Sequence, residues 1–120
     1  MTAHDAKAHT TGNNAAMEQC IQNCLDCYRA CMACAAECMA MGGEEMLHCA
    51  SICLDCADAC MSSAGSMSRG SHHHGILCRA SAELCAHCAE ACKSGTSAIM
   101  KRCAEACAKC AESCRQMSAA

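Results

Sequence analysis

Eighteen of the 120 residues are cysteine, and their spacing is that of a helix rather than of a loop. Cys20, Cys24, Cys27, Cys31, Cys34 and Cys38 follow one another at steps of 4, 3, 4, 3 and 4 residues. The mean step, about 3.5 residues, is the period of a helix seam that faces partner helices. The pattern recurs in Cys49, Cys53, Cys56 and Cys60, and again in Cys103, Cys107, Cys110 and Cys114. A further set, Cys78, Cys85, Cys88 and Cys92, has Ser81 at the seam position where another cysteine would fall. A seam normally carries Leu or Ile. Thiolates are soft ligands that select Cu(I), Zn(II) or iron–sulfur clusters, so metal binding is the chemistry this pattern offers.

The three metals make different demands. Zinc needs four converging ligands, whereas a stripe on one helix reads as pairs in series. Eight C-x-x-x-C pairs occur: Cys20/Cys24, Cys27/Cys31, Cys34/Cys38, Cys49/Cys53, Cys56/Cys60, Cys88/Cys92, Cys103/Cys107 and Cys110/Cys114. Two thiolates across one helical turn suit a near-linear two-coordinate ion, a geometry Cu(I) accepts. A four-thiolate zinc site keeps two negative charges, which is costly in a narrow apolar core. One Cu(I) per thiolate is neutral. Ferredoxin clusters are wrapped by C-x-x-C-x-x-C loops followed by Pro; this chain has neither that spacing nor any proline. Cu(I), many ions per chain, is the expected cargo. Iron–sulfur electron transfer and zinc buffering are the alternatives.

Each seam must lie on a helix, and turn residues separate the seams. The expected helices run over about residues 13–41, 44–69, 71–93 and 96–117. Asn13 or Asn14 would cap the first and Ser71 the third, and Thr96 or Ser97 would cap the fourth. Gly42-Gly43, Gly70 and Gly95 mark stops. Short links make successive helices antiparallel. The predicted fold is all-α, an antiparallel up-down-up-down four-helix bundle with a cysteine-lined core, spanning residues 13–118 as one domain. Residues 1–12 have neither an apolar stretch nor a twin arginine. They are expected to be a flexible arm rather than a signal peptide, which places the chain in the cytoplasm.

Composition narrows the function further. There is no Phe or Trp, one Tyr and no membrane-length apolar run. The large aliphatics are Ile21, Leu25, Leu47, Ile52, Leu54, Ile76, Leu77, Leu84 and Ile99, too few for an ordinary core. Packing alone does not explain so many seam cysteines, since small side chains leave voids. Disulfides are the next alternative, but neighbours one turn apart have parallel side chains that suit a bridging atom better than an S–S bond. A formal net charge of −3 argues against a nucleic-acid partner. No Asp or Glu falls on a seam, so no thiol has a base of its own and catalysis is not expected.

Extrapolated seams place more ligands at the two ends. Met17, Met67, His74 and Met117 fall at one end. Met41, Met46 and Met100 fall at the other, with His48 beside Cys49, and these four are the expected site of metal admission. His74 alone of His72–His74 extrapolates to the seam. His4, His9 and His87 are expected in solvent. A second stripe on the first helix, Ile21, Leu25, Tyr28, Met32, Ala35 and Met39, repeats the cysteine spacing one residue on. Its length suits contact with another subunit.

Residues 17–117 resemble the cytosolic branch of the bacterial copper storage proteins. The stretches QCIQNCLDCYRACMACAAEC, HCASICLDCADAC and CAEACAKCAESC carry the likeness, with SRGS leading into the third helix. The resemblance implies Cu(I) storage inside a four-helix bundle, a homotetramer, and metal admission at an end lined by Met and His. A copper chaperone or exporter would be the exchange partner. That family often has His near the start of the fourth helix; here the residues are Ile99, Met100, Lys101 and Arg102.

Overall fold

The chain is described by a computed structural model covering residues 10–118, with side chains from residue 15 onward. Four helices make it up: α1 (Thr10–Met41), α2 (Glu44–Ser68), α3 (His74–Cys92) and α4 (Ala98–Ser118). No proline interrupts them, and Ala, Glu, Met and Lys favour the helix throughout. α1 starts before the expected residue 13, so Asn13 and Asn14 lie within its backbone rather than at its cap. Residues 1–9, with His4 and His9, lie outside the described residues.

The helix ends follow from local chemistry. Gly42 and Gly43 have φ of 72° and 92°, which a residue with a Cβ adopts only at a cost. The Gly42 N–H donates to the Cys38 carbonyl at 3.0 Å, closing α1. Glu44 and Glu45 then open α2, where negative charge complements the helix dipole. α2 ends on a Schellman motif: Gly70 N–H donates to the Met67 carbonyl at 3.1 Å and Ser71 N–H to the Ser66 carbonyl at 3.0 Å. That motif consumes Ser71, so α3 begins at His74 rather than residue 71. Ser71 Oγ instead accepts the His73 N–H at 3.0 Å. Of the two expected caps of α4, Ser97 serves: its Oγ accepts the Met100 N–H at 3.0 Å. The same hydroxyl donates to Glu37 Oε2 on α1 at 2.5 Å, fixing the last loop to the first helix.

The helices pack in a ring, α1 between α2 and α4, and α3 opposite α1. The Cα trace measures 53 × 18 × 18 Å. Cross-helix pairs show the antiparallel register. Going up α1 and down α4, Cys20 meets Cys114, Cys24 meets Cys110, Cys27 meets Cys107 and Cys31 meets Cys103. Each step on one helix is matched by an equal step on the other. All eighteen cysteines are buried, and Ala35, Ala50, Ala57, Ala64, Ala82 and Ala111 are buried beside them. Small side chains at the seam let the backbones approach closely, which sets the narrow cross-section.

The link from α3 to α4 is packed just as tightly. A Cβ on Gly95 would lie 2.6 Å from the Cβ and from the Sδ of Met100, a buried residue at the end of the cysteine column. Gly95→Ala is expected to lower stability by about 1–3 kcal/mol through overpacking, read from denaturant unfolding of the reduced, copper-free protein. An unchanged midpoint would show that Met100 moves aside freely.

Candidate metal centre

The thiols form one connected column. From Cys20 the sulfurs step to Cys114 (3.8 Å), Cys110 (3.8 Å), Cys60 (3.8 Å), Cys85 (3.6 Å) and Cys56 (3.4 Å). The path continues to Cys27 (3.8 Å), Cys107 (3.5 Å), Cys103 (3.9 Å), Cys92 (3.9 Å) and Cys49 (3.6 Å). Every cysteine is a free thiol. Within single helices, Cys27/Cys31, Cys103/Cys107 and Cys110/Cys114 stand 3.9, 3.9 and 3.8 Å apart, as the C-x-x-x-C spacing predicts. The seam runs 18 positions along α1 from Cys20 to Cys38, about 27 Å of helix axis.

The stripes converge more than pairs in series would. Because four seams face one axis, sulfurs from different helices gather into quartets. These include Cys27/Cys56/Cys60/Cys85, Cys27/Cys31/Cys56/Cys107, Cys31/Cys88/Cys103/Cys107 and Cys34/Cys53/Cys92/Cys103, each with its sulfurs within 4.8 Å of one another. A tetrahedron built on metal–sulfur bonds of about 2.3 Å has edges of about 3.8 Å, so a single quartet fits zinc. The quartets share corners, however: Cys27, Cys31, Cys56, Cys103 and Cys107 each belong to two of them. Separate tetrahedral ions cannot fill them all. Ions bridged by shared thiolates can.

Electrostatics favours a monovalent ion. Apart from the cysteines, the buried polar residues among those described are the neutral Asn23, Ser63, Ser66 and Ser81, so no buried cation offsets thiolate charge. Contact with Cys107 is the largest influence holding the Cys27 thiol down, to about 7. Burial, followed by contact with Cys49, pushes Cys38 up to about 12. Neighbouring thiols cannot all ionise without counter-charge, and a bound metal ion supplies it while displacing the proton.

Two serines interrupt the column on one side. Ser63 and Ser81, both fully buried, face each other across α2 and α3 with their Oγ atoms 2.6 Å apart. Ser81 donates onward to the Ala59 carbonyl at 2.9 Å, so Ser63 supplies the proton between them. The sequence marks both as seam positions; only the register of α2 against α3 makes them a pair. A second polar link, also not foreseen, joins α1 to α4. Asn23 Nδ2 donates to Ser113 Oγ at 3.1 Å, and Gln19 Nε2 donates to Asn23 Oδ1 at 3.0 Å.

The end ligands divide by burial. At the end holding Cys38 and Cys49, Met100 is buried and Met46 half-buried, while Met41 and His48 are exposed. At the other end Met67 and Met117 are buried, and Met17 and His74 half-buried. His72, His73 and His87 are exposed.

The second stripe of α1 takes a definite side. Asn23, one residue before the seam, bonds to α4, so residues one after the seam lie toward α2. There Leu25, Met32 and Met39 are exposed, and on α2 so are Leu47, Leu54 and Met61. Ala35, Ala50 and Ala57, each one residue after a seam cysteine on the same two helices, are buried.

Comparison with known proteins agrees with this geometry. The copper storage protein family matches residues 13–119. Among solved structures, Nmul_A1745 protein from Nitrosospira multiformis is 32% identical with a TM-score of 0.80, covering 88% of this chain and 97% of its own. The Cu(I)-bound copper storage protein BsCsp3, the Csp3 of Bacillus subtilis, is 31% identical with a TM-score of 0.80, covering 86% and 98%. A cytosolic copper storage protein from Streptomyces lividans, holding five coppers, is 32% identical with a TM-score of 0.79, covering 88% and 94%. No curated protein matches. A thiol column on this register, in a chain matched over nearly its whole length, belongs to the copper storage protein family.

Proposed function

We propose that the chain stores Cu(I) in the thiol column, with all eighteen cysteines as ligands. The observation that carries this is the unbroken S···S path through shared-corner quartets. It accepts many bridged monovalent ions and cannot be filled by isolated tetrahedral ones. Thioethers at both ends extend the soft donor set. The role is storage rather than catalysis. Cytoplasmic residence is supported by the relative from Streptomyces lividans that is described as cytosolic. A copper chaperone or exporter is the natural exchange partner. No described helix is long and apolar enough to cross a membrane.

Anaerobic titration of the reduced protein with Cu(I) against a competing chelator tests the reading. Saturation is expected at about one ion per thiolate, on the order of eighteen per chain. Loading should also raise the melting temperature, because the ions bind the folded chain and join its helices. Saturation at one or two equivalents would overturn storage. A plateau near four would favour zinc-like sites.

Metal admission is assigned to the end holding Met41, Met46, His48 and Met100. The half-buried Met46 and the buried Met100 stand where an arriving ion must exchange ligands with the first thiols. Met41 and His48 lie outside them in solvent. Replacing the methionines with Leu and His48 with Ala should slow uptake several-fold in stopped-flow loading while leaving capacity nearly unchanged. Slow uptake after changing Met17, Met67 and Met117 instead would move admission to the opposite end.

The chain is assigned as a homo-oligomer, a tetramer by family likeness, with the second stripe of α1 at the interface. The stripe is apolar along several helical turns, and exposed apolar stripes of that length mark subunit contacts. Changing Leu25 and Met32 to Glu should give monomers in light scattering that still take up Cu(I) at near-full stoichiometry. A wild-type chain already monomeric in dilute solution would refute the interface.

A further inference from the structure

The end of the bundle where α1 and α3 begin differs chemically from the rest of the column. Its sulfurs, Cys20, Cys78 and Cys114, lie within 4.8 Å of one another. His74 stands one helical turn before Cys78 on the same face of α3, close enough for their side chains to meet. The His74 Nδ1 lies 3.0 Å from the Ser71 carbonyl. A carbonyl only accepts, so Nδ1 carries the proton and Nε2 presents a lone pair. This arrangement, a backbone carbonyl fixing the tautomer, is how ligating histidines are commonly oriented. The Nε2 is buried and has no hydrogen-bond partner among the described residues. Such a nitrogen costs stability unless something binds it.

Two further observations point the same way. Only Ser66 Oγ and His74 Nε2 are buried side-chain oxygen or nitrogen atoms without a partner among the described residues, and both lie at this end. Met67 and Met117, buried at the ends of α2 and α4, bring two thioethers to the same place. The Ser63–Ser81 pair meanwhile replaces the thiols that would join Cys78 to Cys60 and Cys85 along α2 and α3. Cys78 is thereby set apart from the main column on that side and left with Cys20 and Cys114.

We infer that His74 Nε2, with Cys78, Cys20 and Cys114, forms a mixed imidazole–thiolate Cu(I) site that terminates the column, under the thioethers of Met67 and Met117. Imidazole is a neutral donor and suits copper. It adds a ligand without adding charge, which fits the end of a column whose thiolates are already neutralised one for one. The exposed His72 and His73 take no part.

This inference rests on Cu(I) storage in the column, and the test separates the two. Full-length protein with 15N-labelled histidine is titrated anaerobically with Cu(I) to saturation. The ring nitrogens are followed by long-range 1H–15N correlation, with His74→Gln used to assign the His74 signals. The copper-free protein should show His74 protonated at Nδ1. On loading, its Nε2 resonance should move out of the range of a free imidazole nitrogen, while those of His72 and His73 stay in place. The wild-type measurement stands even where the variant folds poorly, because the Nδ1-protonated tautomer sets His74 apart. High copper capacity with unmoved His74 resonances, or movement of His72 or His73 instead, overturns the terminal site and leaves storage intact. Saturation at one or two equivalents overturns storage itself.

Discussion

Sulfur packed against sulfur is the interaction on which this structure depends. A cysteine seam is short, so four backbones can draw close around one axis, and the thiols then meet at 3.4–3.9 Å over the length of the bundle. Other features follow from that closeness. Large aromatics have no room at the axis, and the composition contains none but Tyr28, which is half-buried off the seam. Alanine fills many of the buried positions beside the thiols, such as Ala35, Ala50 and Ala57. Helix ends are fixed by glycine and serine chemistry. The copper-free bundle therefore lacks much of the burial that stabilises an ordinary four-helix core, and cargo supplies the cross-links.

The same closeness explains why the centre is a column rather than a set of sites. A discrete zinc site requires each thiolate to serve one ion. Here Cys27, Cys31, Cys56, Cys103 and Cys107 face two quartets each, so an ion bound at one quartet alters the donors available to the next. Adjacent thiols also contend over protons: Cys27 is held down by Cys107, whereas Cys38 is pushed up by its burial. Loading such a column exchanges protons for monovalent cations with little change in net charge.

Much of this was legible in the chain because helix periodicity is a property of one segment. The 4, 3, 4 spacing alone defined the seams, their inward orientation and the four-helix architecture, and glycine placement located the turns. What one helix cannot encode is its lateral register against another. The quartets, the Ser63–Ser81 pair and the Asn23–Ser113 link all arise between helices, and each depends on a shift of less than one turn. The same limit applies at the ends. Spacing groups Met41, Met46 and Met100 with His48 beside Cys49, but the bundle buries Met100 and leaves Met41 and His48 in solvent, because Met41 is the last residue of α1 and His48 lies off the seam. The start of α3 was misplaced for a local reason: Ser71 closes the Schellman turn of α2 before it can open a helix.

Complete burial of the thiols also bears on their survival when no copper is bound. Attack by peroxide requires an accessible thiolate, and no cysteine is exposed at the surface. Burial in this respect shields the ligand set from dissolved oxidants. The walls that would enclose a metal ion are the same walls that keep oxidants from the thiols, so one feature of the packing serves both the cargo and its ligands.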